Sequence, residues 1–245
     1  MYKTDLLFAI LKRSHGLQRL LVKAIARTPW IVDFTLEKIA AFKKVFNFVN
    51  VENVAGDYVE FGVFEGTSFI TAFECHMCTK QIANPERKFW GFDSFQGLRF
   101  TDADERHPSF QNGDFKADYE MVKRRLRKSF KKRAPWELVK GYLEDTVSNV
   151  TAPQMGIEAA SVVLFDLDLG PPTKLALDFV KPALHQGSVL IFDEYFWYRG
   201  DNAKGEAAAF TRFQEENPQF EFRHFMDYGV GARVFVVGAI VDTGS

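Results

Sequence analysis

Four acidic residues follow two apolar segments in the second half of the chain. Asp166 and Asp168 end the segment SVVLFDLDLG, and Asp193 and Glu194 end VLIFDEYF. Near-continuous runs of Val, Leu, Ile and Phe predict parallel strands that are covered on both faces. Because open α/β sheets bind ligands at the carboxyl ends of their strands, these carboxylates are candidates for acid–base or metal chemistry at one edge. Each could instead cap a turn or a helix.

A glycine-containing turn lies earlier in the chain, within residues 57–69, DYVEFGVFEGTSF. An apolar strand passes there into a turn with Gly62 and Gly66, and then into Thr67 and Ser68, which can offer hydroxyls or cap a helix. Glycine lets the backbone approach a ligand closely, and a helix start favours a nucleotide-like cofactor. A plain strand-to-helix turn is the other interpretation.

A second strand is predicted within residues 88–98, KFWGFDSFQGL, and it ends at Asp93. In doubly wound folds an acidic residue at this point commonly accepts hydrogen bonds from both ribose hydroxyls of a nucleoside. Asp93 is therefore the first candidate for a ribose ligand. The other interpretation is a turn-forming Asp before Ser94.

The remaining segments predict the framework that positions these residues. A third strand begins in WELVKGYLEDTV, and two last strands, FEFRHFMDY and ARVFVVGAI, are joined by a tight turn and must run antiparallel. Helical spacing of apolar residues predicts two or three helices before the sheet. We therefore expect an α/β fold with a doubly wound, mostly parallel seven-stranded sheet and an antiparallel last strand. A helical extension over residues 1–50, acting as a lid or a dimer contact, precedes a domain over 51–245.

Composition narrows the classes of function. The chain has 245 residues, 47% of them hydrophobic, which suits one large domain. Its formal net charge of −1 gives no indication of a nucleic-acid or membrane-surface partner. The apolar run LLFAIL near the start is too short for a signal peptide or a membrane span, so we expect a cytoplasmic protein.

Two further patterns are interpreted as structural. Cys75 and Cys78 form a C-x-x-C without the other ligands that zinc needs, and we expect partly buried thiols on a helix. The segment FKADYEMVKRRLRKSFKKR predicts a helix that covers the sheet with an apolar stripe and exposes a basic face. The stripe consists of Phe115, Tyr119, Val122, Leu126 and Phe130.

Several of these motifs together resemble a known family. They are the E-F-G-V-F-E-G-T-S loop, the FDSFQGL strand tip, the G-Y-L-E-D-T segment, and the pair LFDLD and LIFDEY. Their order is similar to that of class I S-adenosylmethionine-dependent methyltransferases, and more narrowly to the macrocin and mycinamicin O-methyltransferase family, which acts on sugar hydroxyls of natural products. The resemblance runs over about residues 57–210. It implies a Rossmann-like enzyme that methylates a hydroxyl of a small molecule.

The resemblance also implies roles for particular residues. Ten would bind the cofactor at its amino-acid end, its ribose or its adenine: Glu60, Gly62, Gly66, Thr67, Ser68, Asp93, Ser94, Tyr142, Leu143 and Glu144. Asp166, Asp193 and Glu194 would hold Mg²⁺, although Glu194 stands where these relatives usually carry Asp. Asp166 and Asp168 are the candidate catalytic residues. Trp197 and Arg199 would lie near the acceptor.

Two other functions stay open from the sequence. A nicotinamide-dependent oxidoreductase would be expected to carry G-x-G-x-x-G, whereas position 64 here is Phe. A binding protein could keep the fold without the chemistry. The sequence leaves the methyl acceptor open, and its helical amino-terminal extension is a candidate homodimer contact.

Overall fold

The computed structural model describes residues 14–79, 86–100, 107 and 109–241. Within this part of the chain, seven strands form one sheet. They are β1 (Asp57–Phe61), β2 (Phe89–Asp93), β3 (Trp136–Lys140), β4 (Ala160–Phe165), β5 (Val189–Phe192), β6 (Phe220–Tyr228) and β7 (Ala232–Ile240). Their spatial order is β3-β2-β1-β4-β5-β7-β6.

Helices connect the strands and precede the sheet. They are α1 (His15–Ile25), α2 (Trp30–Val51), α3 (Thr67–Thr79), α4 (Tyr119–Phe130), α5 (Leu143–Thr146), α6 (Gly170–Val180) and α7 (Gly205–Glu216). Short helical turns also lie at Pro153–Met155, Lys181–Ala183 and Trp197–Gly200. Local chemistry explains several of the helix starts. Asp118 caps α4 by accepting a hydrogen bond from the backbone N–H of Met121 at 2.8 Å. Proline residues occupy the first turn of α6, where a missing N–H is tolerated.

The sheet confirms the predicted fold class. Neighbours among β1 to β5 pair in parallel, whereas β7 lies antiparallel to both β5 and β6. The strands β1, β2, β4 and β5 are largely buried, whereas β3, at the edge of the sheet, is only partly buried. Successive side chains of a strand point to opposite faces of the sheet. On β1, Tyr58 packs in the core beneath α2, α3 and α4, and Val59 packs in the core beneath α6 and α7.

Helix α2 has two different halves. In its second half Ala41, Phe42 and Val45 are buried in the core of the domain. In its first half Trp30 and Leu36 expose 65% and 60% of their surface. The helix continues to Val51, across the boundary predicted at residue 50. The proposed roles of the amino-terminal helices as a lid or a dimer contact stay predictions.

The patterns interpreted as structural lie on the outer helices. Cys75 is buried and Cys78 is exposed on α3, and both are free thiols.

Of the helices in the described ranges, none combines the length and the apolar character needed to cross a membrane. The cytoplasmic location stays a prediction.

Candidate functional site

A cleft of ≈ 1000 Å³ opens at the carboxyl ends of the five parallel strands. The segments that follow β1 to β5 line it, and residues from the first half of α2 line it as well. Its size lies within the range of small-molecule sites, roughly 300–1,000 Å³. The fold therefore brings the predicted chemistry-bearing residues to one place, as expected for an open α/β sheet.

The glycine loop after β1 forms one wall of this cleft. Gly62 has φ +90°, and a Cβ at this position would collide with the backbone carbonyl oxygen of Asp166. Gly66 has φ +79° and precedes α3, whose first residues Thr67 and Ser68 line the cleft. The loop thus presents hydroxyl groups at a helix start, where backbone N–H groups attract polar or anionic ligands.

Glu60 lies beneath this loop and does not line the cleft. Its carboxylate accepts hydrogen bonds from the hydroxyls of Tyr58 and Ser68, each at 2.5 Å. Burial raises the pKa of Glu60 to about 8, although both hydroxyls act in the opposite direction. Glu60 thus orients the hydroxyl of Ser68, which does line the cleft.

Asp93, at the end of β2, holds the glycine loop in place. Its Oδ2 accepts hydrogen bonds from the backbone N–H groups of Val63 at 2.8 Å and Phe64 at 2.7 Å, and its Oδ1 accepts one from Phe95 at 2.5 Å. A carboxylate has about four acceptor positions, so part of its capacity is left for a ligand. Asp93 and Ser94 both line the cleft.

The segment after β3 forms the next part of the wall. Tyr142, Leu143 and Glu144 line the cleft, as does Arg99. The guanidinium carbon of Arg99 lies 3.9 Å from the ring centroid of Tyr142, and its Nη2 lies 3.3 Å from Oε2 of Glu144. Arg99 thus joins the β2 and β3 segments, a connection that the spacing of the sequence does not show.

The strands β4 and β5 deliver a cluster of carboxylates to the opposite wall. Oxygens of Asp166, Asp193 and Glu194 all lie within 4.8 Å of one another. Burial raises the pKa of Asp166 to about 6, although the positive charge of a nearby lysine acts to lower it. Burial and the neighbouring carboxylates raise the pKa of Glu194 well above its ordinary value. Oε2 of Glu194 is buried without a hydrogen-bond partner among the residues described.

The lysine at this cluster is Lys38 of α2. Its Nζ lies 2.9 Å from Oδ2 of Asp166 and 2.7 Å from Oδ2 of Asp193, and its side chain is 13% exposed. Burial alone would lower the pKa of Lys38, but the carboxylates outweigh it and raise the pKa well above its ordinary value. Lys38 was not among the site residues predicted from the sequence. Its signal is a lysine on an apolar helical stripe, four residues from both Phe34 and Phe42.

A second missed residue, Glu206, supports the cluster from behind. It is buried at the start of α7. Its Oε1 accepts a hydrogen bond from the backbone N–H of Leu167 at 3.2 Å, and its Oε2 accepts one from that of Glu194 at 3.0 Å. One side chain therefore holds the ends of β4 and β5 together. Its helix looks like an ordinary amphipathic segment in the sequence.

Asp168 lies in the same wall in an unusual backbone conformation. Its φ of +61° is in the left-handed region, which is uncommon for a residue other than glycine. The hydroxyl of Tyr198 donates to its backbone oxygen at 3.3 Å. Asp168 lines the cleft and is 7% exposed. Burial and the charges of Asp166 and Asp193 raise the pKa of its carboxyl well above the ordinary value.

Aromatic side chains cover the rim near these acids. Trp197 stacks on Phe110 with ring centroids 5.3 Å apart, and Phe115 contacts Phe110 and Phe64 at 5.6 and 5.7 Å. The expectation that Phe115 lies on the apolar stripe of a helix is wrong, because α4 begins only at Tyr119 and Phe115 has φ +62°. Phe115 lines the cleft instead.

Most of the predicted site residues line this one cleft. The predicted residues outside its lining, all of them within the described part of the chain, are Glu60, Gly66 and Arg199. Gly66 packs near Leu126 of α4, and Arg199 is exposed with φ +61°. The proposed roles of all these residues stay predictions.

The three carboxylates have the hard oxygen donors that Mg²⁺ prefers. Lys38, however, is bonded to one oxygen of Asp166 and one of Asp193. A Mg²⁺ ion on those oxygens, at about 2.0–2.1 Å, would lie directly against the ammonium group. With Lys38 in this position, the residues do not fit the ion.

Comparisons with known proteins agree with this architecture. The model of the macrocin-O-methyltransferase (TylF) family matches residues 34–219. No curated protein sequence matches the chain significantly.

Solved structures share the fold at low sequence identity. The O-methyltransferase NovP is 20% identical with a TM-score of 0.64, covering 82% of this chain and 80% of NovP. The apo structure of CalS11, a TDP-rhamnose 3′-O-methyltransferase of calicheamicin biosynthesis, is 23% identical with a TM-score of 0.56, covering 95% and 92%. TomG from Streptomyces achromogenes, an O-methyltransferase of tomaymycin synthesis in complex with S-adenosylmethionine, is 15% identical with a TM-score of 0.52, covering 82% and 80%.

Proposed function

Because this chain belongs to the macrocin-O-methyltransferase family, we propose that it transfers a methyl group from S-adenosylmethionine to a hydroxyl of a small molecule, in the biosynthesis of a natural product. The family match confirms the predicted enzyme class, an O-methyltransferase. One observation carries the proposal further: the glycine loop, Asp93 and the carboxylate cluster line the same cleft. A cofactor and an acceptor bound there would lie side by side.

The cofactor half of the cleft is assigned to the loop and to the segments after β2 and β3. Thr67 and Ser68 offer hydroxyls for the amino-acid end, Asp93 keeps acceptor capacity for a ribose hydroxyl, and Tyr142 and Leu143 offer a flat apolar surface for the adenine. When bound, S-adenosylmethionine supplies an electrophilic methyl group on a good leaving group. The protein then has to align the acceptor oxygen and remove its proton.

We propose Asp168 as the base, although Asp166 is also a predicted catalytic residue. Oδ2 of Asp166 is held by Lys38, and a carboxylate that accepts a bond from an ammonium group is a weaker base. The pKa of Asp168 is raised by burial and by neighbouring negative charge, which makes its carboxylate a better proton acceptor. Trp197 and Phe110 form an apolar surface for the acceptor.

The acceptor that fits the relatives is a sugar hydroxyl. The family is named as a macrocin O-methyltransferase, and CalS11 is named as a TDP-rhamnose 3′-O-methyltransferase. An aromatic rim stacks well on a sugar ring, but it would also accept a phenol. Magnesium assistance, which the sequence predicted, is left out of the proposed reaction because Lys38 already binds one oxygen of Asp166 and one of Asp193.

Binding and transfer assays test this function. Isothermal titration with S-adenosylmethionine and S-adenosylhomocysteine is expected to show binding of both, and binding of neither would refute the proposal. Radiolabelled methyl transfer to macrocin, TDP-rhamnose and a catechol then tests the class of acceptor. With an active acceptor, Asp168→Asn is expected to lower turnover by roughly 10²- to 10⁴-fold while S-adenosylhomocysteine still binds. The exposed Asp178→Asn serves as the matched control.

A further inference from the structure

Lys38 is held at the carboxylate cluster by the packing of its own helix. The residues one turn later, Ala41 and Phe42, are 2% and 0% exposed in the core of the domain. One residue earlier, Oε2 of Glu37 accepts a hydrogen bond from the backbone N–H of Gly229 at 2.5 Å. The ring of Phe34 contacts that of Tyr228, with centroids 6.4 Å apart. The backbone of Lys38 is therefore fixed on both sides.

The partners of Lys38 are fixed as well. Oδ1 of Asp193 accepts a hydrogen bond from the hydroxyl of Tyr228 at 2.5 Å, while Oδ2 faces Lys38 at 2.7 Å. Tyr228 ends β6 and contacts Phe34 of α2, so this tyrosine links Asp193 to the helix that carries Lys38. Asp166 completes the arrangement at 2.9 Å from the ammonium group. A buried charge needs such paired, hydrogen-bonded partners.

We propose that Lys38 is the resident cation of this site: its ammonium group takes the position between Asp166 and Asp193 that a divalent metal would otherwise take. The proposal goes beyond the proposed function, and it rests on this cleft being the site of methyl transfer. Lys38 acts as a positioning residue, because it holds the two carboxylates together at the cleft wall. The ammonium has three N–H groups, two of which reach these carboxylates.

The test uses Mn²⁺ as a paramagnetic probe. Electron paramagnetic resonance measures its binding, because the signal of the free ion decreases when the ion binds to the protein. Wild-type protein is expected to leave the spectrum of free Mn²⁺ almost unchanged. Lys38→Met removes the ammonium and leaves the carboxylates without their cation, so this variant is expected to bind Mn²⁺ at least about tenfold more tightly. Mg²⁺ should displace the bound ion. Lys44→Met, an exposed lysine of the same helix, should behave as wild type.

Two results would overturn the proposal. One is tight Mn²⁺ binding by the wild type that Lys38→Met leaves unchanged. The other is a folded Lys38→Met protein that gains no affinity for Mn²⁺. Far-UV circular dichroism reports whether each variant is folded, and Lys38→Gln provides a second substitution. If both variants fail to fold, the wild-type titration decides alone. Failure of the wild type to bind S-adenosylhomocysteine would refute the proposed function, while the Mn²⁺ result would still report on Lys38.

Discussion

Oδ2 of Asp93 lies 2.7 Å from the backbone nitrogen of Phe64, so a carboxylate at the end of β2 holds the loop that follows β1. Phe64 has φ +50°, a conformation that needs such support in a residue with a side chain. The same oxygen accepts the N–H of Val63. The residue predicted as a ribose ligand thus fixes the shape of the glycine loop.

Asp93→Ala is expected to weaken S-adenosylhomocysteine binding by roughly 10- to 100-fold, because hydrogen bonds to a charged group contribute about 1.5–3 kcal/mol each. Isothermal titration measures this change. Asp145→Ala is the control, since Asp145 is exposed and lies outside the cleft lining. Equal affinity in the two variants would show that Asp93 does not support the site.

Gly62→Ala is expected to destabilise the fold. The new Cβ meets the carbonyl oxygen of Asp166, and the φ of +90° is unfavourable for alanine. Backbone strain of this kind costs roughly 1–3 kcal/mol, and the collision adds to it. Urea unfolding measures the loss. Gly16→Ala on α1, where a Cβ meets nothing within 4 Å, should be neutral or slightly stabilising. Comparable losses in both variants would contradict the prediction.

Glu206→Gln should lower the free energy of unfolding by roughly 1–3 kcal/mol. Glutamine keeps one acceptor oxygen but replaces the other with an NH₂ group, which cannot accept a hydrogen bond. The backbone N–H of either Leu167 or Glu194 therefore loses its acceptor. Chemical denaturation measures the difference. Glu215→Gln, an exposed change on the same helix, is the control. An unchanged midpoint in Glu206→Gln would mean that this side chain does not hold the two strand ends.

Glu60 is expected to make stability depend on pH. Its pKa is about 8 in the folded protein, against an ordinary value of 4.5, so the folded state binds the proton more tightly than the unfolded chain. Stability should therefore fall as pH rises from about 4.5 to about 8, by roughly 1 kcal/mol per pH unit at the steepest point.

Glu60→Gln removes this proton and should flatten the dependence over that range. Unfolding curves collected at several pH values measure the slope. The exposed Glu52→Gln should keep the wild-type slope. A slope that is the same in wild type and Glu60→Gln would assign the pH dependence to other groups.

The sequence by itself determined the sheet and the residues at its carboxyl edge. Buried parallel strands must be nearly all apolar, so the positions where polarity returns, such as Asp93, Asp166 and Asp193, mark the strand ends. Gly62 is similarly visible because the turn it occupies excludes a side chain. These signals are local, and each can be identified within a few residues.

Only the tertiary structure decided what contacts those residues. Lys38 meets Asp166 and Asp193 across 128 and 155 residues of chain, and its position depends on how α2 packs against the core. Glu206 reaches its partners only because α7 begins beneath the ends of β4 and β5. A lysine on a helix or a glutamate at a helix start has the same local pattern whether it is solvated or buried. Packing alone distinguishes the two, because the energy of a charge depends on the groups that surround it.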